Sequence, residues 1–276
     1  MGIRTKLNQR LIYDTFFDDG YQEPCTKVPT KFRLAKLLGI AHLVDSGPSW
    51  AHVAARSENP AFMQEVADHK LPLNTSPGNT IRPLNAPIHW VRNDDVLEVL
   101  LANGADPNLV DDRGYQPIHR AESPEALDIL EKYGADLTAL TKHGYSLINC
   151  LAVENGSKTP EAIKKAVLEK GLDPNYAPSG ALPATHAALD RGCMRNLKAL
   201  AEVGADFSVK APDGLTLLDR LETGPTDFYL AGNSAYEAEQ FIKDTQAAQE
   251  IIKKRTKGPN VPEKSAAPEP QPEIER

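Results

Sequence analysis

Cysteine is scarce in this chain, and no hydrophobic run is long. The three cysteines, Cys25, Cys150 and Cys193, lie far apart and form no CxxC pair. Their spacing supplies neither a disulfide framework nor a zinc-binding pattern, and it favours a reducing compartment. The longest apolar stretch, residues 34–44, is interrupted by two polar side chains and is too short to span a bilayer. We therefore expect no membrane insertion.

Targeting signals are also missing from the first residues. Residues 1–6 lack the apolar core of a secretory signal. Lys6 occupies the place where the N-myristoylation pattern requires serine or threonine. These features predict a cytoplasmic protein.

Positive charge and catalytic signatures are the next absences. The net charge is −7 and the pI is near 5.6, which argues against a protein that binds the phosphate backbone of a nucleic acid. The chain contains no GxGxxG after a predicted strand, no phosphate loop ending in GK[ST], no HExxH and no GxSxG. We therefore expect no enzyme activity, no cofactor and no metal ion.

What the chain does contain is a repeat. The segment 111–140 combines a turn, a short helix with a histidine, an amphipathic helix and a closing Gly-Ala-Asp, and imperfect copies flank it. One position, here called the histidine slot, recurs every 30 to 37 residues, at His52, His89, His119, Asn149, His186 and Asp219. A second marker closes the units at Asn74, Asn108, Thr138, Asn175 and Ser208. Two markers share a period of about 33 residues, which chance similarity does not explain.

This pattern resembles the ankyrin-repeat family over roughly residues 44–255. The clearest marks are residues 86–89 (APIH), 116–119 (QPIH) and 104–108 (GADPN). The resemblance implies an all-α solenoid of helix-turn-helix units joined by short hairpin loops, with helical caps at both ends. It also implies that the histidines form hydrogen bonds to backbone or hydroxyl groups and so tie each turn to its helix.

Local chemistry predicts where the helices begin and end. Pro87 and Pro117 have the fixed φ that suits a first helical position. The glycines that follow apolar helical runs are expected to end them in the left-handed region, at Gly104, Gly134, Gly171 and Gly204. From histidine slot to closing marker, the second and third units have 19 residues and the first and fifth have 22. We expect the missing helical turn to lie between the two helices.

The pattern divides the chain into three regions. Residues 1–44 are expected to cap the array, with a separate functional arm as the alternative. Residues 256–276 are rich in Pro, Glu and Lys and are expected to be disordered. The repeat domain between them has approximate units at 45–82, 83–110, 111–140, 141–176, 177–208 and 209–255. The last unit is expected to contain a long helix with a capping box at Ser234 and Glu237 and an apolar stripe of Phe241, Thr245, Ala248 and Ile252.

Several residue groups have plain structural interpretations. Histidines that share one slot of successive repeats are interpreted as structural rather than as metal ligands. Cys150 and Cys193, within or beside predicted helices, are interpreted as core residues. The acidic pairs 94–95 and 111–112 are interpreted as solvated faces or helix starts.

The resemblance places partner binding at the hairpin tips and on the concave helical face. The tip positions in register are Arg82, Asn85, Asp112, Arg113, Tyr115, Lys142, His143, Tyr145, Tyr176, Asp213 and Leu215. Tyrosine and arginine are enriched among residues that dominate binding energy, although each tyrosine is equally consistent with covering a neighbouring turn. The polar insertion 75–82 either reaches a partner or is a tolerated surface loop.

The sequence therefore predicts a monomeric, non-enzymatic module that binds another protein, with no nucleic-acid partner. Two alternatives stay open. One is a microbial or viral effector that uses the repeats to occupy a host protein and is located in the host cytosol. The other is an enzyme whose site lies in residues 1–44 or in the insertions.

Overall fold

All regular structure in the described part of the chain is helical. A computed structural model describes residues 2–13, 29–38, 48–75, 85–177, 180–223 and 235–256. In these ranges the α-helices are α1 (Ile3–Tyr13), α2 (Thr30–Leu37), α3 (Trp50–Arg56), α4 (Pro60–Asp68), α5 (Asp94–Ala102), α6 (Pro124–Lys132), α7 (Leu147–Ala152), α8 (Thr159–Leu168), α9 (Ala184–Asp190), α10 (Met194–Glu202), α11 (Leu217–Thr223) and α12 (Ala235–Thr256). Two 3₁₀ helices of one turn, Pro87–Trp90 and Pro117–Arg120, precede α5 and α6.

The helices form two rows, because each unit contributes a first and a second helix. The first-helix row runs from α3 to the Pro87–Trp90 turn and, further along, from the Pro117–Arg120 turn through α7 and α9 to α11. The second-helix row runs through α4, α5, α6, α8 and α10. Each second helix from α4 to α10 contacts the second helix of the neighbouring unit. The expected all-α solenoid of helix-turn-helix units is confirmed.

The core is continuous along the array. Each second helix buries one apolar stripe; α6, for example, buries Ala126, Leu127 and Leu130, while Ile129 packs at the edge. One cluster of buried side chains extends from Ile12 in α1 to Ile242 in α12. A unit of about 33 residues cannot bury its own apolar stripe, so stacking supplies the missing cover.

Glycine ends the second helices as the sequence predicts. Gly104 has φ 91°, and its N–H donates to Leu101 O (3.0 Å) while the next N–H, of Ala105, donates to Leu100 O (3.2 Å). Gly134 and Gly204 repeat this arrangement with φ 87° and 86°. The pair of bonds satisfies carbonyls that would otherwise have no partner at the helix end.

The missing turn of the second and third units is not where the sequence analysis placed it. The loop between first and second helix has three residues in the first, second and third units alike: 57–59, 91–93 and 121–123. The shortening lies in the first helix, which has seven residues in α3 but four in each 3₁₀ turn. The loop keeps its length because its last residue, such as Asn93, caps the second helix by accepting a hydrogen bond from Val96 N (3.1 Å).

At the start of the array, α1 and α2 cover the first unit. The Phe32 ring of α2 lies edge-on between Trp50 and Phe62, 5.2 Å from each ring centroid. The Trp50 indole N–H donates to the buried Asn8 Oδ1 of α1 (3.0 Å). These contacts bury the largest aromatic side chains of the first unit.

At the other end, α12 packs on the closing loop of the fifth unit. Gln249 Nε2 donates to Ala205 O (2.7 Å), and Gln249 Oε1 accepts from Phe207 N (3.2 Å). The expected apolar stripe of α12 is shifted: Ala238 and Ile242 are fully buried, whereas Ala248 is exposed. Glutamine side chains satisfy the polar loop, so this face of α12 is partly polar. The predicted cap at Ser234 lies outside the described residues.

Candidate partner-binding surface

The hairpin of the third unit is held by a buried carboxylate. Asp111 N donates to Tyr115 O (2.8 Å), which closes the hairpin, and Gly114 has φ 84° at its tip. The Asp111 side chain has no exposed surface, and its Oδ1 accepts from Arg113 N (2.9 Å) and Tyr115 N (2.7 Å). The interpretation of Asp111 as a solvated residue or helix start is therefore wrong. The Asp followed by Gly three residues later is a turn signal that could have shown this.

The next hairpins keep the same backbone with other side chains. Thr141 N donates to Tyr145 O and Ala211 N to Leu215 O, each at 2.9 Å. Thr141 Oγ1 replaces the carboxylate by accepting from Tyr145 N (3.1 Å). The hairpin geometry thus belongs to the repeat, while its internal support varies between units.

Successive hairpins touch each other. Asn85 and Asp112 exchange two hydrogen bonds, Asn85 Nδ2 to Asp112 Oδ1 and Asp112 N to Asn85 Oδ1, both at 2.9 Å. A Cβ atom placed on Gly114 would lie 2.7 Å from Lys142 Cβ, so the Lys142 side chain crosses the third hairpin closely. We call Asn85, Asp112, Arg113, Lys142 and His143 the tip row.

The predicted site residues differ in exposure. Asp112, Arg113, Lys142, His143, Tyr176 and Asp213 are exposed, and Asn85, Tyr115, Tyr145 and Leu215 are half-buried. Arg82 lies outside the described residues. Asp213 is engaged by its own unit: its Oδ1 accepts from Leu215 N (3.0 Å) and its Oδ2 from Arg220 (2.5 Å).

Tyr115 has a structural role that the sequence analysis left open. Its ring lies edge-on to His119 at 6.0 Å, and the Arg120 guanidinium lies over it at 5.5 Å. Burial raises the pKa of Tyr115, and the nearby Cys150 raises it further. Tyr145 contacts His143 at 6.5 Å. Part of the Tyr115 ring therefore covers its own turn.

Three of the four histidines in the histidine slot bond a backbone carbonyl further along the chain, and for His52 and His186 that carbonyl belongs to the next unit. Nε2 of His52 donates to Asn85 O (2.9 Å), that of His119 to Ala139 O (3.0 Å) and that of His186 to Leu215 O (3.3 Å). The Nδ1 atoms of His52 and His119 accept from the backbone N–H three residues earlier, which fixes this tautomer. Asn149 reproduces the pattern with Nδ2 to Tyr176 O (3.4 Å).

His89 does not follow the expectation. Both of its ring nitrogens are buried, and neither has a hydrogen-bond partner among the residues that the structure describes. Burial lowers the pKa of His89, with Asp111 and Arg120 as its charged neighbours. Trp90, the next residue, instead donates its indole N–H to Asn85 O (3.2 Å), the carbonyl that His52 also reaches. The Asn85 carbonyl that His52 reaches from the first unit is thus also bonded within the second unit by Trp90.

The cysteine side chains have the surroundings of core residues. Cys150 and Cys193 are both buried. Burial raises the pKa of Cys150 to about 12, and the Cys193 thiol donates to Asn155 Oδ1 (3.2 Å). Both thiols are protonated at neutral pH and are poor nucleophiles.

The described ranges contain no group of three or more His, Cys, Asp or Glu side chains placed to hold a metal ion. In the same residues, no helix combines the length and apolar character needed to cross a bilayer.

Comparisons with known proteins assign the chain to no family. No protein-family model and no curated protein matches the chain. Among solved structures, the ankyrin repeat domain of Bcl-3, a unique member of the IkappaB protein family, is similar with a TM-score of 0.49 and 21% identity, over 63% of this chain and 79% of that one. The fold class rests on the chain's own geometry, in which paired helices, glycine-ended second helices and hydrogen-bonded hairpins recur. The fold is an all-α solenoid of helix-turn-helix units joined by short hairpins.

Proposed function

We propose that this chain is a non-enzymatic module that binds a partner protein through the tip row and the adjoining first helices. The observation that supports this most is the continuity of the tip row, in which neighbouring hairpins contact each other and still expose charged side chains. Tyr176, Asp213 and Leu215 continue the surface toward the closing unit.

The tip row is also rigid for a set of loops. Asp111 and Thr141 each satisfy backbone N–H groups of their own hairpin, and Asn85 bonds both the backbone and the side chain of Asp112. Loops that are ordered before binding lose less conformational entropy when a partner binds. A row of ordered, exposed, contiguous hairpins suits recognition of another protein better than chemistry on a small molecule.

The test is a partner-binding measurement with a matched charge control. Proteins recovered by affinity purification and mass spectrometry are purified, and their affinity is measured by calorimetry. The variant Arg113→Gln with Lys142→Gln removes two positive charges from the tip row. The control, Lys132→Gln with Lys158→Gln, removes two from the second-helix face, where both lysines form exposed ion pairs.

We expect the tip variant to weaken binding about tenfold or more and the control to change it by less than about threefold. Both should keep the melting temperature nearly unchanged, because exposed ion pairs stabilise little. Equal affinities for the two variants would contradict the proposed surface.

A further inference from the structure

Arg120, in the first-helix row, uses only some of its hydrogen-bond donors in contacts within the fold. The position after the histidine slot holds Val53, Trp90, Arg120, Cys150, Ala187 and Arg220. Arg120 and Arg220 therefore occupy equivalent places in the third and the closing units. Each forms an ion pair with an aspartate of its own hairpin.

The two arginines differ in how many donors they have left. Arg220 bonds two carboxylates, Asp190 at 2.8 Å and Asp213 at 2.5 Å, and its side chain is 14% exposed. Arg120 bonds one oxygen, Asp111 Oδ2 at 3.2 Å, and its side chain is 48% exposed. Within the described ranges, no other acid lies within ion-pair distance of Arg120. Donors of the Arg120 guanidinium therefore face solvent.

Arg120 is nevertheless held in place. The Tyr115 ring lies under its guanidinium, and the buried Asp111 carboxylate fixes one edge. Asp111 is itself fixed by two backbone N–H groups. A planar guanidinium that is already oriented loses little freedom when its open edge binds a second carboxylate in two-point fashion.

The charges near Arg120 favour one kind of anionic ligand over others. Burial raises the pKa of Glu122, nearby Glu154 raises it further, and the charge of Arg120 lowers it, so Glu122 lies within electrostatic range of this guanidinium. The Glu122 carboxylate would repel a dianionic phosphate or a polyanion more strongly than a group with one negative charge. A single carboxylate fits this environment best.

We propose that Arg120 anchors a single carboxylate, an aspartate or glutamate side chain of the partner protein. This assignment rests on the function proposed above and adds the chemistry of one contact. The partner segment lies along the first-helix row beside the tip row, with its acidic side chain over Tyr115.

The experiment selects random dodecapeptides displayed on phage against the full chain. The tightest peptide that requires the tip row is synthesised in three forms: unchanged, with its acid replaced by the amide, and with phosphoserine in that position. A single-stranded DNA oligonucleotide is the polyanion probe. Affinities are measured by fluorescence anisotropy.

The main variant is Asp111→Asn with Arg120→Gln, which removes both charges and leaves no unpaired buried carboxylate. Arg120→Lys, which keeps the charge but not the planar fork, is the second variant should the first fail to fold. Lys132→Gln, on the second-helix face away from the tip row, is the matched control for the loss of one exposed positive charge. Thermal unfolding checks that each variant is folded.

We expect an acidic residue in the selected peptides, about a tenfold or greater loss for the main variant, and a smaller loss for Arg120→Lys. The peptide with the amide should bind the main variant as weakly as the unchanged peptide does, since both partners of one contact are then absent. Losses that simply add, or selected peptides without acids, would overturn the assignment.

The other probes give separate answers. Tighter binding of the phosphoserine peptide through Arg120 would replace the carboxylate by a phosphate, and DNA binding that depends on Arg120 would replace the protein segment by a nucleic acid. A natural partner that depends on the tip row but not on Arg120 would refute this inference alone. A library without any peptide that needs the tip row would contradict both proposals.

Discussion

At the first junction of the array, between the first and second units, the second helices and closing loops are joined by amide groups, and Arg56 lies over the Trp90 ring (5.6 Å). The second helices of the third junction, between the third and fourth units, are joined by ion pairs. At the first junction Asn74 bonds Gly104 O and Asp106 N (2.9 and 2.8 Å), and the second helices meet through Asn103 and Gln64 (3.2 Å). His52 adds a bond to the next hairpin.

At the third junction the closing asparagine is missing. Thr138 occupies its place and bonds Asp136 of its own loop instead of the next unit. The second helices compensate with ion pairs: Lys165 and Lys170 both reach Asp128, at 2.5 and 2.9 Å. Lys170 also bonds Glu131, and Lys158 bonds Glu125.

The difference shows that the same stacking geometry is compatible with two kinds of polar interaction between neighbouring units. Shape and apolar burial place the units next to each other, and either amide–backbone bonds or ion pairs then hold the edge. The two kinds respond differently to pH and salt, so the junctions can be separated by experiment.

The largest expected effect is acid sensitivity at the first junction. Burial lowers the pKa of His52 to about 4, although the hydrogen bond to Asn85 O raises it. Protonation would also place a hydrogen on Nδ1, which in the neutral ring accepts from Ser49 N. The unfolded chain therefore binds the proton first, and the stability that neutral His52 contributes is present above pH 6.5 and lost as pH falls toward 4. This amounts to about 2 kcal/mol between pH 7 and pH 5.

Urea unfolding at several pH values measures this loss. In His52→Asn the loss of unfolding free energy between pH 7 and pH 5 should be smaller by about 2 kcal/mol, because asparagine does not titrate. Asn149 shows that asparagine can make the hydrogen bonds of the histidine slot. An unchanged pH profile in His52→Asn would mean that other groups cause the acid sensitivity.

The second expected effect concerns the closing marker. Asn74→Ala removes two hydrogen bonds to the next unit and should lower the free energy of unfolding by about 1 to 2 kcal/mol, measured by urea denaturation. Thr138→Ala should lower it by about 0.5 kcal/mol or less, since its bonds stay within one exposed loop. Equal losses would remove the distinction between the junctions.

The smallest expected effect, and the one that depends on salt, lies in the ion pairs. Lys165→Gln with Lys170→Gln should destabilise the chain less than Asn74→Ala, and the loss should shrink as NaCl rises from about 0.05 to about 0.5 M. Hydrogen bonds from the two lysines lower the pKa of Asp128, so its contribution is present above its unfolded pKa and is lost only below about pH 4.

The control for this prediction is Gln64→Ala with Asn103→Ala, the neutral pair at the equivalent place of the first junction. Its loss should not change with salt. A loss in the lysine variant that is constant in salt would show that the lysines act through packing of their aliphatic parts rather than through charge.

Much of the fold follows from signals that lie within a few residues of each other. The period, the glycine helix ends and the hairpin turns were predictable because φ preferences and capping act locally. The position of the missing turn was not, because both a shorter loop and a shorter helix satisfy the same residue count. Only the packed structure shows that the three-residue loop with its capping Asn93 stays constant.

For the candidate surface, too, some features were predictable from the sequence and others were not. The order of the tip positions came from the repeat, and their binding role stays a prediction. The role of Asp111 as a buried support, and the contrast between Arg120 and Arg220, were not visible in the sequence. Arg120 and Arg220 occupy equivalent positions in their units, yet the number of acidic side chains around each is set by other parts of the chain.

The sequence by itself determined that this chain is a row of similar helical units with hairpins between them. The tertiary structure alone decided which repeated side chains find partners. Within the described part of the chain His52 has hydrogen-bond partners and His89 has none, and lysines of the next unit make the link between units that Thr138 does not make. The physical reason is range. Helix ends and turns depend on bonds a few residues apart, whereas these contacts join residues about 30 apart, whose distance is fixed only once the apolar faces have stacked.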